Sequence, residues 1–362
     1  MAIRFRLDPD PADAVGVALS PLCETALSLH VLIKPKYHPV QHPWIRAMRT
    51  LSPALKREVR AFAPFYVDAI PDAFLPAAES ATFEEELAAL EALPLETLAY
   101  ELARPLFHYS HVAGGRTDLA DPVVRERSLS FAGFYGADCA EVARQLLDEP
   151  ELACARALTL LRDYWEAAFG EEWERIRPQL EAEADDARTR VRQGRFWDLA
   201  EELRPELRVD PAAGTLVRAS PHEHEVPVSP ANPLLLVPSL YIFPHARVNC
   251  DGPWPLAVVY PAREVAREGR LRQAPEALVR GLQAVADPTR LRALRLIAER
   301  PRSTEELAPL VGLTEAGLSK HLRRLAAAGL VVTRRDGYYV LYDLDRERLA
   351  ELAPELLGFV AG

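Results

Sequence analysis

Five basic side chains, Lys320, Arg323, Arg324, Arg334 and Arg335, stand close together late in the chain. In the run from Thr314 to Arg335, TEAGLSKHLRRLAAAGLVVTRR, the one acid is Glu315. The run therefore carries a net +4 within a chain of formal net charge −10. Guanidinium and ammonium groups gathered on one element attract phosphate, and a DNA duplex offers a dense array of it. The apolar spacing shows which way these cations point. At ~100° per residue, Leu318, Leu322 and Leu325 fall within about 60° of arc and face a core. Ala316, Lys320, Arg323 and Arg324 occupy the opposite side, with Glu315 and Ser319 flanking it. His321 sits beside the leucine stripe, where it either touches phosphate or packs at the helix shoulder. A charge run alone is usually a solvated helix face. The elements around this one favour DNA, with phosphate contact ahead of base readout for any single arginine.

Those elements can be read from their punctuation. Asp287-Pro288 is a helix N-cap followed by proline at the first helical position, and the helix is expected to turn Leu291, Leu294 and Ile297 inward. Leu278, Leu282 and Val285 form an amphipathic turn just before it. Ser303-x-x-Glu306 is a capping box that opens a second helix through Leu307 and Leu310, ending at Gly312. Thr314 caps the third helix and Gly329 ends it. Val331 to Arg335 and Tyr338 to Leu344 read as two strands joined at Asp336-Gly337, a strong hairpin signal. This is the pattern of a winged helix-turn-helix with Arg334 and Arg335 near the wing tip.

The segments ADPTRLRALRLI, SKHLRRLAAAGLV and RRDGYYVLYDL together resemble the arsenical-resistance-repressor (ArsR) family of dimeric bacterial regulators over about residues 276–362. The resemblance implies a homodimer whose third helices enter successive major grooves of double-stranded DNA. It implies DNA-binding residues among Thr314, Glu315, Ser319, Lys320, His321, Arg323, Arg324, Arg334, Arg335 and Tyr338. It also implies that RERLAELAPELLGFV dimerises through Leu349, Leu352, Leu356 and Val360; packing on its own wing domain is the alternative. Metal-sensing members carry cysteines in the second-helix region, and RSTEELAPLVG has none. The Asp/His pairs of zinc sensors are missing from the terminal helix, so neither metal nor cofactor is expected. Further forward, YWEAAFGEEWERIRPQLEAE, LLLVPSLYIFPHARV and LAVVYPA are similar to an uncharacterised N-terminal domain fused to ArsR-type helix-turn-helices in actinobacterial-type regulators. That similarity spans about residues 3–262 and supplies no ligand.

The rest of the chain fits a division of labour. Residues 276–362 hold 13 basic and 12 acidic side chains, whereas residues 1–275 hold 30 and 41, so DNA would repel the front part. An extended stretch at Ile3 to Leu7 precedes mainly helical sequence to about residue 206, including Pro21 to Leu32, two helices split near Pro150, and a long charged helix from Glu171 to Leu203. Five short β-rich runs between Glu206 and Tyr260 read as a small antiparallel sheet. The expected fold is α+β: a helical domain over 1–262 with a β segment at about 206–260, a linker or connecting helix at 263–275, and the winged domain at 276–362. Four scattered cysteines, Cys23, Cys139, Cys154 and Cys250, fit a reduced cytoplasmic protein, and neither a membrane span nor a signal peptide is expected.

Other candidate chemistry is weaker. His222-x-His224 with Glu223, Glu225, His245 and Cys250 offers metal-ligand types, but a polar strand or loop explains them more simply. His108/His111 and His38/His42 read as surface, and Glu84-Glu85-Glu86 as a solvated helix face. Phe131, Phe134, Tyr135, Tyr164, Trp165, Phe169, Trp173, Phe196 and Trp197 are expected as helical core, with an aromatic pocket for an apolar effector as the alternative. No nucleophile elbow, phosphate loop or zinc-hydrolase helix occurs. The expected function is thus a non-enzymatic homodimeric transcription regulator, a repressor, on a palindromic operator. The front domain would sense an unknown small molecule or drive oligomerisation. A winged-helix interaction module without DNA, and a small-molecule enzyme with an accessory winged domain, remain the alternatives.

Overall fold

The computed structural model describes residues 2–8, 10–66, 70–76, 81–107, 117–203, 207–219, 223–250, 252–272, 276–336 and 339–361. In chain order they form β1 (Ala2–Arg6), β2 (Val15–Val17), α1 (Pro21–Ile33), α2 (His42–Ala47), α3 (Pro53–Ala61), α4 (Phe83–Glu91), α5 (Leu95–Phe107), α6 (Pro122–Tyr135), α7 (Ala137–Asp148), α8 (Pro150–Tyr164), α9 (Gly170–Arg192) and α10 (Phe196–Glu202). There follow β3 (Arg208–Asp210), β4 (Thr215–Ala219), β5 (His224–Pro227), β6 (Leu234–Ser239), β7 (Arg247–Asn249), β8 (Leu256–Pro261), α11 (Arg263–Arg272), α12 (Glu276–Val285) and α13 (Pro288–Glu299). The last are β9 (Arg302–Ser303), α14 (Thr304–Val311), α15 (Glu315–Ala327), β10 (Val331–Asp336), β11 (Tyr339–Leu344) and α16 (Arg346–Ala361). Two compact units result, Met1–Gly269 and Arg270–Gly362. The class is α+β, as the sequence reads. No helix among the described residues is long and apolar enough to cross a membrane.

The strands of the first unit differ from the expected single antiparallel sheet. They make two four-stranded mixed sheets, ordered β3-β4-β1-β5 and β2-β6-β8-β7. Strand β1 runs antiparallel to β4 and parallel to β5, while β6 lies between β2 and β8, parallel to both. The reason is that the chain start supplies a strand to each sheet. In the second sheet, the parallel strands are separated by long helical or irregular connections, as parallel pairing requires. Strands β6 and β8 are buried on both faces except at Pro261, so they show continuous apolar runs rather than alternation.

Helix α9 buries Trp173, Ile176, Leu180, Ala184, Ala187 and Val191, the stripe its sequence spacing predicts. It stops at Arg192 instead of running to Leu203, because Gly194 takes φ +68° and turns the chain into α10. Helices α8 and α9 are joined by a π-helical turn, Trp165–Phe169. Of the nine aromatics, Tyr164, Phe169, Trp173 and Phe196 are buried and Phe131, Trp165 and Trp197 pack half-buried against the core, whereas Phe134 is 86% exposed. A cleft of about 660 Å³ between α3 and α8 is lined by side chains such as Leu55, Glu58, Arg156 and Asp163, with no aromatic ring.

Two expectations for polar residues need correction, and a third buried polar side chain, Glu24, carried no sequence signal. His38 is fully buried, not at the surface; its Nδ1 lies 2.7 Å from the Phe243 carbonyl, and its ring meets that of His30 edge-on. Burial, with His30 nearby, lowers its pKa to about 4. Glu86 is not on a solvated face: its Oε2 accepts hydrogen bonds from Ser20 Oγ and the Leu22 amide, at 3.0 and 2.8 Å, at the start of α1. Glu24 in α1 is 3% exposed and accepts from the Leu240 amide at 2.7 Å; burial raises its pKa to about 7. His108, His111 and His222 lie outside the described residues, and His224 is exposed.

Candidate nucleic-acid interface

The second unit is built around α15, and each preceding element fixes its position. Asp287 Oδ1 accepts from the amides of Thr289 and Arg290 at 2.9 and 3.0 Å, capping α13. Helix α13 buries Arg290, Ala293, Leu294 and Ile297, while Leu291 is 53% exposed, contrary to the inward placement expected for it. The inward face is centred between Ile297 and Arg290, which leaves Leu291 about 110° away around the helix. Arg290 takes the inward place. Its Nε donates to the Ala284 carbonyl at 2.5 Å and its Nη2 to the Gln283 carbonyl at 2.9 Å, satisfying the C-terminal end of α12. An arginine among leucines reads as solvent-facing, which is why this residue escapes a hydrophobicity scan.

The Ser303–Glu306 capping box forms as predicted, with the Glu306 amide donating to Ser303 Oγ at 3.2 Å and the Ser303 amide to Glu306 Oε2 at 3.1 Å. Helix α14 ends at Gly312, φ +75°, a left-handed position suited to glycine. Thr314 Oγ1 then accepts from the Gly317 amide at 3.2 Å and starts α15. Leu318, Leu322 and Leu325 are each 0% exposed within a core that includes Ala293, Ile297, Leu307 and Leu330. The outer side presents Thr314, Glu315, Ala316, Lys320, Arg323 and Arg324, all exposed, and half-buried Ser319. Gly329, φ +72°, reverses the chain into the hairpin β10-β11, where Arg334 and Arg335 pair in register with Leu341 and Val340 and are exposed. Tyr338 lies outside the described residues. Strand β9, Arg302–Ser303, adds a third, antiparallel strand beside β11. It spans two residues and overlaps the helix cap, so no pattern announces it.

The electrostatics separate this face from the rest of the unit. Arg300 pairs with Glu306, Arg302 with Glu299, and Arg348 with Glu351 and Glu355. Lys320, Arg323, Arg324, Arg334 and Arg335 form no ion pair with any described carboxylate, so their charge remains available to a ligand. His321 is apart from them. Its side chain is 26% exposed, and its Nδ1 lies 3.6 Å from Asp287 Oδ1. The Asp287 carboxyl is held below the usual aspartate range by the Arg290 amide, then by the charges of Arg290 and His321 and by the Thr289 amide.

Helix α16 divides its apolar residues. Leu352, expected at a dimer contact, is instead 6% exposed within its own unit. It is packed so closely on α12 that a Cβ at Gly281 would lie 2.4 Å from its Cδ2. Leu349 is half-buried in the same core, whereas Leu356 and Val360 are 37% and 73% exposed. The alternative of packing on its own unit therefore holds for the first half of the helix. Among the described residues no group of three or more His, Cys, Asp or Glu is placed to hold a metal.

Three helices and a hairpin arranged this way define a winged helix-turn-helix. The chain belongs, over residues 1–266, to the family of unknown function DUF5937, and residues 287–333 match the model of bacterial regulatory proteins of the arsR family. The HTH-type transcriptional regulator KmtR of Mycobacterium tuberculosis is 40% identical over 75 residues, which are 21% of this chain and 58% of that protein. The regulator CmtR of Mycobacterium bovis is 39% identical over 84 residues, 23% of this chain and 71% of its own. The homodimeric winged helix-turn-helix DNA-binding domain Mb0332 of Mycobacterium bovis aligns with 26% of this chain and 84% of its own, at 32% identity and a TM-score of 0.22. These alignments cover 21–26% of this chain, and this chain spans 58% of the length of KmtR.

Proposed function

We propose that the chain is a DNA-binding transcription regulator, a repressor, acting as a homodimer on a palindromic operator. One observation carries the reading: α15 is anchored by three fully buried leucines and turns to solvent cations that pair with no described carboxylate, with two more on the wing. Helix and wing together match what a major groove and its flanking phosphates recognise. Similarity to proteins named as transcriptional regulators supports it. Lys320, Arg323, Arg324, Arg334 and Arg335 contact DNA, with Thr314, Glu315, Ser319 and Tyr338 at the edges of the interface. Of the four residues expected to dimerise, Leu356 and Val360 stay open on α16 for a second copy, with exposed Leu357 beside them. The DUF5937 unit serves as the effector-sensing or oligomerising module, in a cytoplasmic protein.

Selection of bound duplexes from a random pool by the full-length protein tests this reading. Enrichment of inverted half-sites about one helical turn apart (~34–36 Å), or a multiple of it, is expected. Recovery of unenriched sequence would refute a palindromic operator.

A further inference from the structure

His321 belongs to the middle of the helix proposed to read DNA, yet its surroundings are those of a structural joint. The carboxylate of Asp287 faces it, and that carboxylate already caps α13 through two backbone amides. Arg290, 5% exposed, reaches from the same turn to the last carbonyls of α12, and its Nη1 lies 3.5 Å from Asp287 Oδ2. The C-terminus of α12, the N-terminus of α13 and the side of α15 thus meet at three side chains. The remaining potential of the node is specific. Among the described residues His321 Nδ1 and Arg290 Nη1 are both buried without a hydrogen-bond partner, and they lie 3.6 and 3.5 Å from the two oxygens of Asp287.

Resting on the regulator reading above, we propose that His321 is a positioning residue rather than a DNA contact. Closure of its Nδ1 onto Asp287 fixes the roll of α15 over α13 and sets the height of Arg323 and Arg324 above the duplex. A neutral imidazole has one N–H and can place it on either nitrogen; the protonated ring donates from both, so Nδ1 must then offer a proton to the carboxylate. The pair becomes a charge-assisted contact, shorter and about twice as strong as a neutral one. The protonated ring therefore tightens the joint and strengthens operator binding. The elements packed on α15 carry further charged groups, among them Arg280 on α12, Arg292, Arg295 and Glu299 on α13, Glu305 and Glu306 on α14, and Arg334 and Arg335 on β10, beside Glu315, Lys320, Arg323 and Arg324 on its own helix. Glu306 is engaged by Arg300.

Two readouts on the full-length protein test the proposal. The first needs no DNA: the Asp287 carboxyl carbon is followed by NMR through acid titration in the wild type and in His321→Gln. If the ring adjoins the carboxylate, its removal moves the Asp287 midpoint upward; an unmoved midpoint overturns the proposal whatever the protein binds. The second is the affinity for the selected duplex at pH 8 and pH 6. The wild type tightens by about 5-fold or more on acidification relative to His321→Gln, taking one hydrogen bond to a charged group as the difference. Asp287→Asn retains a good cap and should lose the same pH response, and the double variant should add nothing further. Additive losses with a salt slope lowered by ~1 in His321→Gln would make His321 a phosphate contact and overturn the assignment. A shifted Asp287 midpoint with no duplex bound by any form would leave the joint standing and remove the regulator reading instead.

Discussion

Leu322→Ala separates the two faces of α15 by their energies. Leu322 is 0% exposed, flanked on the same helix by Leu318 and Leu325, which are equally covered, and surrounded by Ile297, Leu307 and Leu330. Truncation removes three methyl or methylene-sized groups from a site with no route to solvent. Comparable buried leucines cost about 3 kcal/mol or more, part of it from the cavity left behind. In a unit the size of Arg270–Gly362, each 1 kcal/mol moves the melting midpoint by about 4–8 °C. The expected fall is therefore about 12–24 °C, a large share of the ~5–15 kcal/mol that holds a typical domain folded. Arg323→Ala, one residue along and exposed, should stay within about 0.5 kcal/mol of the wild type. Differential scanning calorimetry of the full-length protein reads both variants against the wild type. A transition that moves less than about 3 °C in Leu322→Ala, or one that moves equally in the two variants, would refute the burial assigned to this face and with it the outward direction of the cations.

Replacing Lys320, Arg323 and Arg324 together with alanine should abolish duplex binding in gel shifts while leaving the melting profile intact, since all three are exposed. Arg334→Ala should weaken binding to selected and scrambled duplexes alike and lower the salt slope by ~1 for each phosphate that the guanidinium neutralises; a changed sequence preference would instead make it a base reader. Val360→Glu should shift sedimentation from dimer to monomer without lowering the melting midpoint, because Val360 is 73% exposed in the single chain. Glu24 gives the first unit a pH signature. Its folded pKa of about 7 stands above the ~4.3 of an unfolded glutamate, so its stabilising contribution is full below pH 4 and lost as pH rises through 7. Glu24→Gln should therefore be more stable than the wild type at pH 8.5, by up to about 4 kcal/mol, and match it at pH 4; parallel curves would contradict the raised pKa.

The winged unit was legible because its signals are local. Asp287-Pro288, the Ser303–Glu306 box, Gly312, Thr314 and Gly329 each act within four residues of themselves, and each appears where the sequence places it. The leucine stripe of α15 and the outward cations follow from a single helical period. Residues whose role depends on distant partners were not legible. Arg290 is buried because two carbonyls of another helix need a donor, and Glu86 because the amides of α1 do. His38 is buried by a carbonyl 205 residues away in sequence. The mixed sheets escaped detection for the same reason: β1 and β2 lie more than 200 residues from the strands they pair with, and β2 is only three residues long. Leu352 and Leu356 share one apolar spacing, and only the close approach of Gly281 distinguishes the covered leucine from the open one.

The central claim is that this face binds DNA by sequence and by charge. The most direct test is fluorescence anisotropy of the full-length protein with the DNA upstream of its own gene and with a scrambled duplex of equal length, titrated across salt. Tighter binding to the upstream duplex is expected, with a steep fall in affinity as salt rises, as several phosphate contacts per protomer require. Absence of binding to either duplex at low salt would contradict it and leave the winged unit as a module for protein contacts.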